Sequence, residues 1–247
     1  MYPSHVQLFI TCLGDQFFST TLKNMVKVLE RVGVQPLFPA GQTCCGQPLY
    51  NNGFNEQTRP IARHFLEVFG QHKAPIVAPS ASCVAMVRHH YPELFPEGTY
   101  EHALAMEVAH RTFEFTEFLV RVLQVADVGA SYPHRVTYHA SCHGLREMGL
   151  KAEAKVLLSH VRGLELVPLN EEEVCCGFGG AFSVTYPMVS QAMMENKVRN
   201  IIASGADTVV ITEPGCLMNI AGGLRKAGSK VRAIHIIDIL ASTEGAL

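Results

Sequence analysis

The chain has 247 residues, 48% of them hydrophobic and 17% charged, with a formal net charge of −2. That is enough apolar material for one large domain or two small ones, and with no basic run it argues against nucleic-acid binding and a polybasic membrane patch. The start, MYPSHVQLFITCLGDQ, lacks the features of a signal peptide, and no apolar run approaches the about 20 residues of a membrane span, so a cytoplasmic location is expected.

In chain order, VQLFIT (6–11) reads as a strand and TTLKNMVKVLERVG (20–33) as an amphipathic helix ended by Gly33. QPLFP (35–39) is a short strand. FNEQTRPIARHFLEVFGQ (54–71) is a helix with Pro60 near its start, PIVAPS (75–80) a strand, and CVAMVRHHYPELF (83–95) begins another helix. Further on, RVTYHA (135–140), LELVPL (164–169) and DTVVIT (207–212) are strand candidates. EAKVLLSHVRGL (153–164) and PMVSQAMMENKVRNIIASGA (187–206) are the clearest helices. VRAIHIIDILAS (231–242) is apolar but broken by Arg232, His235 and Asp238, which suits a buried strand or a short helix. Strands alternating with helices imply parallel α/β layers.

The chain is also written twice. VQLFITCLG (6–14) answers VTYHASCHG (136–144), TCCG (43–46) answers VCCG (174–177), and IVAPSASC (76–83) answers VVITEPGC (209–216). FEFTEFL (113–119) resembles IHIIDIL (234–240). The matching cysteines are offset by 130, 131, 131 and 133 residues, the mark of an internal duplication. The turn-rich stretch QVADVGASYPHR (124–135) is the expected boundary, dividing the chain into repeats 1–124 and 125–247. The expected fold is α/β: two similar lobes related by a pseudo-two-fold, each with a small parallel sheet flanked by helices.

Each half carries one Cys, a Cys-Cys-Gly, then one more Cys: Cys12, Cys44, Cys45 and Cys83, then Cys142, Cys175, Cys176 and Cys216. Cys12, Cys83, Cys142 and Cys216 directly follow strands, where ligands gather in open parallel sheets. Four thiols distant in sequence can therefore converge at one end of each sheet, several of them near helix N-termini that favour thiolate. Burial as small apolar residues suits a lone Cys, but not a pattern that repeats as a unit. In the cytoplasm, metal ligands or catalytic thiols are expected before a disulfide framework. A disulfide within either adjacent pair is strained, because neighbouring Cα atoms are about 3.8 Å apart, below the usual range of about 4.4–6.8 Å. Zinc usually draws on C-x₂₋₄-C pairs, and no C-x-x-C occurs in the chain; zinc stays open as an alternative. An iron–sulfur cluster presents several irons, so adjacent thiolates can serve different metals. On that reading Gly46, Gly177 and the glycines of GFGGAF (177–182) make room for the inorganic core.

This doubled arrangement of Cys, Cys-Cys-Gly and a last Cys in a Pro-containing turn resembles the cysteine-rich CCG-domain family over essentially the whole chain. The family includes the catalytic subunit of heterodisulfide reductases and iron–sulfur subunits of glycolate and glycerol-3-phosphate oxidation complexes. In size, and in lacking a ferredoxin domain, the chain is most similar to members that serve lactate utilization. The resemblance implies a 4Fe–4S cluster held by the eight cysteines, at most one per half. It implies an electron-transfer subunit of a complex oxidising L-lactate to pyruvate. The implied partners are a ferredoxin-like iron–sulfur subunit and a further small subunit, with membrane association only peripheral and through them. A heterodisulfide-reductase-like thiol catalyst and a zinc-bearing assembly subunit are the alternatives. The fuller family pattern ends in C-x-x-C; here Ser80 and Glu213 stand at the first Cys of that pair. A turn or cap role is expected for Ser80, and a solvated or helix-capping one for Glu213, with oxygen ligation the alternative for the carboxylate.

Among the remaining candidates, His143 and Arg146 sit beside Cys142, with charge balance or carboxylate binding set against ordinary polar packing. His139 falls on the same strand end. His89 and His90 read as solvated, His102 and His110 lie in a polar helical stretch, Met193 and Met194 read as core, and GFGGAF is a weak nucleotide motif. No flavin or nicotinamide fingerprint occurs.

Overall fold

A computed structural model describes residues 2–243. Eight strands form two sheets. The first contains β1 (His5–Leu8), β2 (Gln35–Leu37), β3 (Ile76–Ala78) and β4 (Thr112–Glu114); the second contains β5 (Arg135–His139), β6 (Glu165–Val167), β7 (Thr208–Ile211) and β8 (Arg232–His235). Every pairing is parallel, and the orders are β2-β1-β3-β4 and β6-β5-β7-β8. The two halves thus share one topology, as the duplicated sequence requires. The fourth strand of each sheet comes from the FEFTEFL and IHIIDIL segments, whose first residues are extended and whose remainder turns helical.

The helices follow the apolar spacing. Leu22, Met25, Val28 and Leu29 recur at three- and four-residue intervals and are the buried face of the helix Ser19–Arg31. Gly33, at φ +81°, closes that helix, with Val34 N–H bonded back to the Leu29 carbonyl at 2.9 Å. The segment from Cys83 departs from one regular helix. An α-helical start, Ala81–Ala85, widens into a π-turn over Met86–His90 and tightens into a 3₁₀ turn at Pro92–Leu94. Pro92 lacks the N–H an α-helix would need there.

Three apolar clusters form the interior. One centres on the first half around Phe9, Phe65, Phe69 and Val84, with Met148 joining from the second; another centres on the second around Ile201, Ile211 and Ile220, with Phe18 packed on it from the first. The third runs through both halves: Met25, Val28 and Leu29 pack with Ile236, Ile239 and Leu240, while Phe115, Phe118 and Leu119 share it with Val136, Leu157 and Leu158. Polar contacts close the same seam. Asp238 accepts hydrogen bonds from Thr21 Oγ1 at 2.7 Å and Asn24 Nδ2 at 2.9 Å. Arg31 donates to the carbonyls of Val128, Leu240 and Ala241.

Candidate metal centre

In both sheets the strand order reverses beside the first strand of the half, and the cysteines leave the sheets at that point. Cys12 opens the helix after β1, Cys83 lies in the helix after β3, and Cys44 and Cys45 follow β2. Cys142, Cys216, Cys175 and Cys176 occupy the matching places after β5, β7 and β6. All eight are free thiols. They line one cavity of about 190 Å³, together with Gln47, Ser80, Ser82, His143, Glu213 and Phe178 among others. The two quartets therefore face a common space at the junction of the halves.

Each Cys-Cys-Gly turn is built alike. Gly46 and Gly177 adopt φ +82° and +86°, and their N–H groups donate to Cys44 Sγ and Cys175 Sγ, both at 3.4 Å. The buried Tyr91 hydroxyl donates to the Cys45 carbonyl at 2.9 Å, and Asn219 Nδ2 to the Cys176 carbonyl at 2.8 Å. These glycines do not open space for a bound group. A Cβ on Gly177 would meet the Ser190 carbonyl oxygen at 2.5 Å and Met193 Cβ at 2.9 Å; one on Gly46 would meet Thr58 Cγ2 at 3.2 Å. Their role is left-handed backbone and close approach of the helices Asn55–Phe69 and Pro187–Ala203. Of the GFGGAF glycines, Gly179 and Gly180 do line the cavity.

Within each half the thiols form a hydrogen-bonded set. Cys44 is held down to about 2, first by thiol hydrogen bonds from Cys12 and Cys45 and then by backbone N–H donors. Cys12 and Cys45 are pushed up as donors to Cys44 and by burial. Cys175 is likewise held down to about 2 by Cys142 and Cys176, which are themselves pushed up. Cys176 and Cys216 are 3.2 Å apart at sulfur. Four converging soft donors in each quartet are a donor set suited to iron–sulfur or other thiophilic metal chemistry.

Ser80 and Glu213 meet. Ser80 Oγ donates to the two Glu213 carboxyl oxygens at 2.9 and 3.1 Å, and accepts from Cys83 N–H at 3.4 Å. Glu213 also accepts from Ser82 N–H at 2.9 Å and Ser82 Oγ at 3.1 Å. Both residues are caps, but Glu213 makes no cap bond to its own helix, Pro214–Lys226. It caps the Ala81–Ala85 helix of the other half. Positions where the fuller family pattern has thiols are here a buried polar link between the lobes.

His143 lies at the cavity, its Nδ1 3.6 Å from Cys142 Sγ and its Nε2 3.4 Å from Gln47 Nε2. Arg146 is exposed and does not line the cavity. His89 is exposed, and His90 stacks on Tyr50 with ring centroids 4.6 Å apart. Met193 and Met194 are half-buried, with Met194 packed against the core of the second half. Two residues at the second quartet stand out only in three dimensions. His139 is fully buried and held down to about 3 by burial and by Lys197. Lys197 is 1% exposed and lowered by burial; its Nζ donates to the Glu171 and Glu172 carbonyls. The signal for His139 was present in the repeat, which sets it opposite Phe9; for Lys197 the helix periodicity offered none.

Comparison with known proteins agrees with this architecture. The profile of the cysteine-rich CCG domain matches residues 6–88 and again 136–221. Lactate utilization protein A of Exiguobacterium sp. is 47% identical over 237 residues, covering 96% of either chain. The Shouchella clausii protein of the same name is 45% identical over 240 residues, covering 97% of this chain and 100% of that one. Among solved structures, a hypothetical protein from Helicobacter pylori superposes with a TM-score of 0.68 at 13% identity over 100% of this chain. The chain spans 50% of that molecule, and the likeness is one of fold. On the doubled domain match and on identity over nearly its whole length, the chain belongs to the cysteine-rich CCG-domain family, in company with the lactate utilization A proteins.

Proposed function

We propose that this chain is the iron–sulfur, electron-carrying subunit of a complex that oxidises L-lactate to pyruvate in the cytoplasm. The observation that carries the reading is the convergence of eight thiols from two duplicated halves on one cavity. The relatives' shared name supplies the substrate. Bound there, a 4Fe–4S cluster would accept and release single electrons. Cys12, Cys44, Cys45 and Cys83 would hold one such group; Cys142, Cys175, Cys176 and Cys216 would hold another. Gly46 and Gly177 N–H groups, already donating to sulfur, would stabilise the negative charge of the ligated thiolates. Glu213 and the two serines keep the quartets in register across the junction.

Oxidation of lactate releases two electrons and two protons, and a ferredoxin-like iron–sulfur subunit and a further small subunit are the proposed partners. Val184, Tyr186, Met188 and Val189 are exposed apolar residues just beyond the cavity-lining Gly179–Ala181 turn, and they suit a partner surface. Among the described residues no helix is long and apolar enough to cross a membrane, so delivery to a membrane acceptor falls to those partners.

Anaerobic purification with iron and acid-labile sulfide analysis tests this. The expected result is about four irons and four sulfides per loaded half, with a visible band that bleaches on reduction. Cys45→Ser and Cys176→Ser should each lower iron in its own half first. Stoichiometric zinc without sulfide would overturn the reading, as would unchanged iron in both variants.

A further inference from the structure

The two quartets match in their thiols but not in what stands behind them. Behind the first, Phe9 and Phe65 pack edge to face with ring centroids 4.8 Å apart, in the cluster that includes Cys45 and Cys83. The 130-residue offset that relates Cys12 to Cys142 puts His139 where the first half has Phe9. The contacts of Gly46 with Thr58 and Ile61 recur as those of Gly177 with Ser190 and Met193, an offset of 132 that puts Lys197 where the first half has Phe65. An apolar wall in one half is a polar, cationic wall in the other.

His139 is the exceptional member. It is 0% exposed, and neither ring nitrogen makes a hydrogen bond of ordinary geometry, although the Glu172 carbonyl lies near the ring. Buried polar atoms are nearly always paired, so a fully buried imidazole with no well-formed hydrogen bond calls for a cause, and a bound ion is one. Lys197 does not supply the missing bond: its ammonium is engaged by the Glu171 and Glu172 carbonyls. A ring nitrogen of His139, Cys176 Sγ and Cys216 Sγ all lie within 4.8 Å of one another. Nitrogen at about 2.0–2.1 Å and sulfur at about 2.3 Å from one metal fall within that separation. Phe9 has no atom that could do the same in the first half.

We propose that His139 is a metal ligand, making the second half a mixed imidazole–thiolate site while the first half is all-thiolate. The inference rests on the reading that the quartets hold metal, iron of a cluster or a single thiophilic ion such as zinc. The two halves would then hold chemically distinct centres. Imidazole is neutral where thiolate is anionic, so a second centre in which His139 takes the place of one of the four thiolates carries less negative charge and is the easier to reduce. Electrons arriving in the cavity would come to rest on that side.

Cobalt(II) titrated into the reduced, metal-free full chain under anaerobic conditions tests His139 without iron or turnover. The expected result is a d–d spectrum of mixed nitrogen and sulfur ligation that His139→Phe converts to a sulfur-only spectrum or weakens at least tenfold in affinity. His143→Asn removes the histidine that lines the cavity and should leave the spectrum unchanged. Should His139→Phe fail to fold, pulsed EPR of the cluster-loaded wild-type chain decides. A directly bound ¹⁴N coupling, replaced by ¹⁵N on histidine labelling and retained in His143→Asn, supports the proposal. An identical cobalt spectrum and affinity in His139→Phe, or no strongly coupled nitrogen in the loaded chain, overturns it. A chain that binds no sulfide yet shows His139-dependent cobalt ligation refutes the cluster and keeps the ligand. Iron and sulfide without nitrogen coupling does the reverse.

Discussion

Ser80 and Glu213 show what one residue does here. Each sits where a further thiol would stand in the fuller family pattern, and each spends its oxygens on the other. Glu213 is 6% exposed and accepts from Ser80 Oγ, Ser82 Oγ and Ser82 N–H. Removing it leaves buried donors unpaired, which costs about 1–3 kcal/mol. Glu213→Ala should lower the unfolding midpoint in urea, and Glu213→Gln, which keeps an acceptor, should lose less; equal losses would show that the carboxyl group is not the link. Glu114 supplies a pH dependence. Burial raises it to about 7, against hydrogen bonds from Thr116 and Glu117 N–H that pull the other way. Its protonated form is therefore favoured by folding. The associated stability is full below about 4.5, its ordinary value, and is lost as pH rises through about 7. Denaturation measured from pH 5 to 8 should show that decline, and Glu114→Gln should flatten it.

At the scale of elements, the Cys-Cys-Gly turns are held from behind by the helices that follow them. Gly177 has the tighter fit, with the Ser190 carbonyl oxygen 2.5 Å from where a Cβ would lie, whereas Gly46 faces side-chain methyl groups. Both substitutions to Ala meet the strain of positive φ. Gly177→Ala should be the more destabilising of the two and should reduce iron in the second half, which thermal melts and metal analysis of the paired variants would show. The seam helices Ser19–Arg31 and Ile236–Ala241 carry a different load. Leu240 is 0% exposed in the cluster shared by both halves. Leu240→Ala should cost about 2–5 kcal/mol, with the thiols of both halves retained.

For the whole molecule, one interior runs through both lobes. A half alone would expose Met25, Val28 and Leu29 of the first lobe, or Ile236, Ile239 and Leu240 of the second. The full chain should therefore unfold in a single transition, and segments 1–124 and 125–247 expressed apart should fail to give native near-UV circular dichroism. Two transitions, or one half that folds alone, would refute the shared core as the source of cooperativity. The common cavity belongs to this scale as well, since it exists only where the two sheets are docked.

Much of this was written in the sequence. The duplication, the parallel α/β layering, the strand-end placement of the cysteines and the amphipathic helices all follow from short-range spacing, because period and turn chemistry act over a few residues. The fourth strand of each sheet was less legible: three or four residues such as Thr112–Glu114 carry too little pattern before the chain turns helical. Sequence spacing could place four thiols at each sheet but not both quartets on one cavity. Packing between distant segments decided that, as it decided the pairing of Ser80 with Glu213, the close approach at Gly177 and the wall of His139 and Lys197. The sequence by itself determined which atoms could bind metal; the docking of the lobes determined which of them share a space, because burial and distance across a junction are properties no local pattern records.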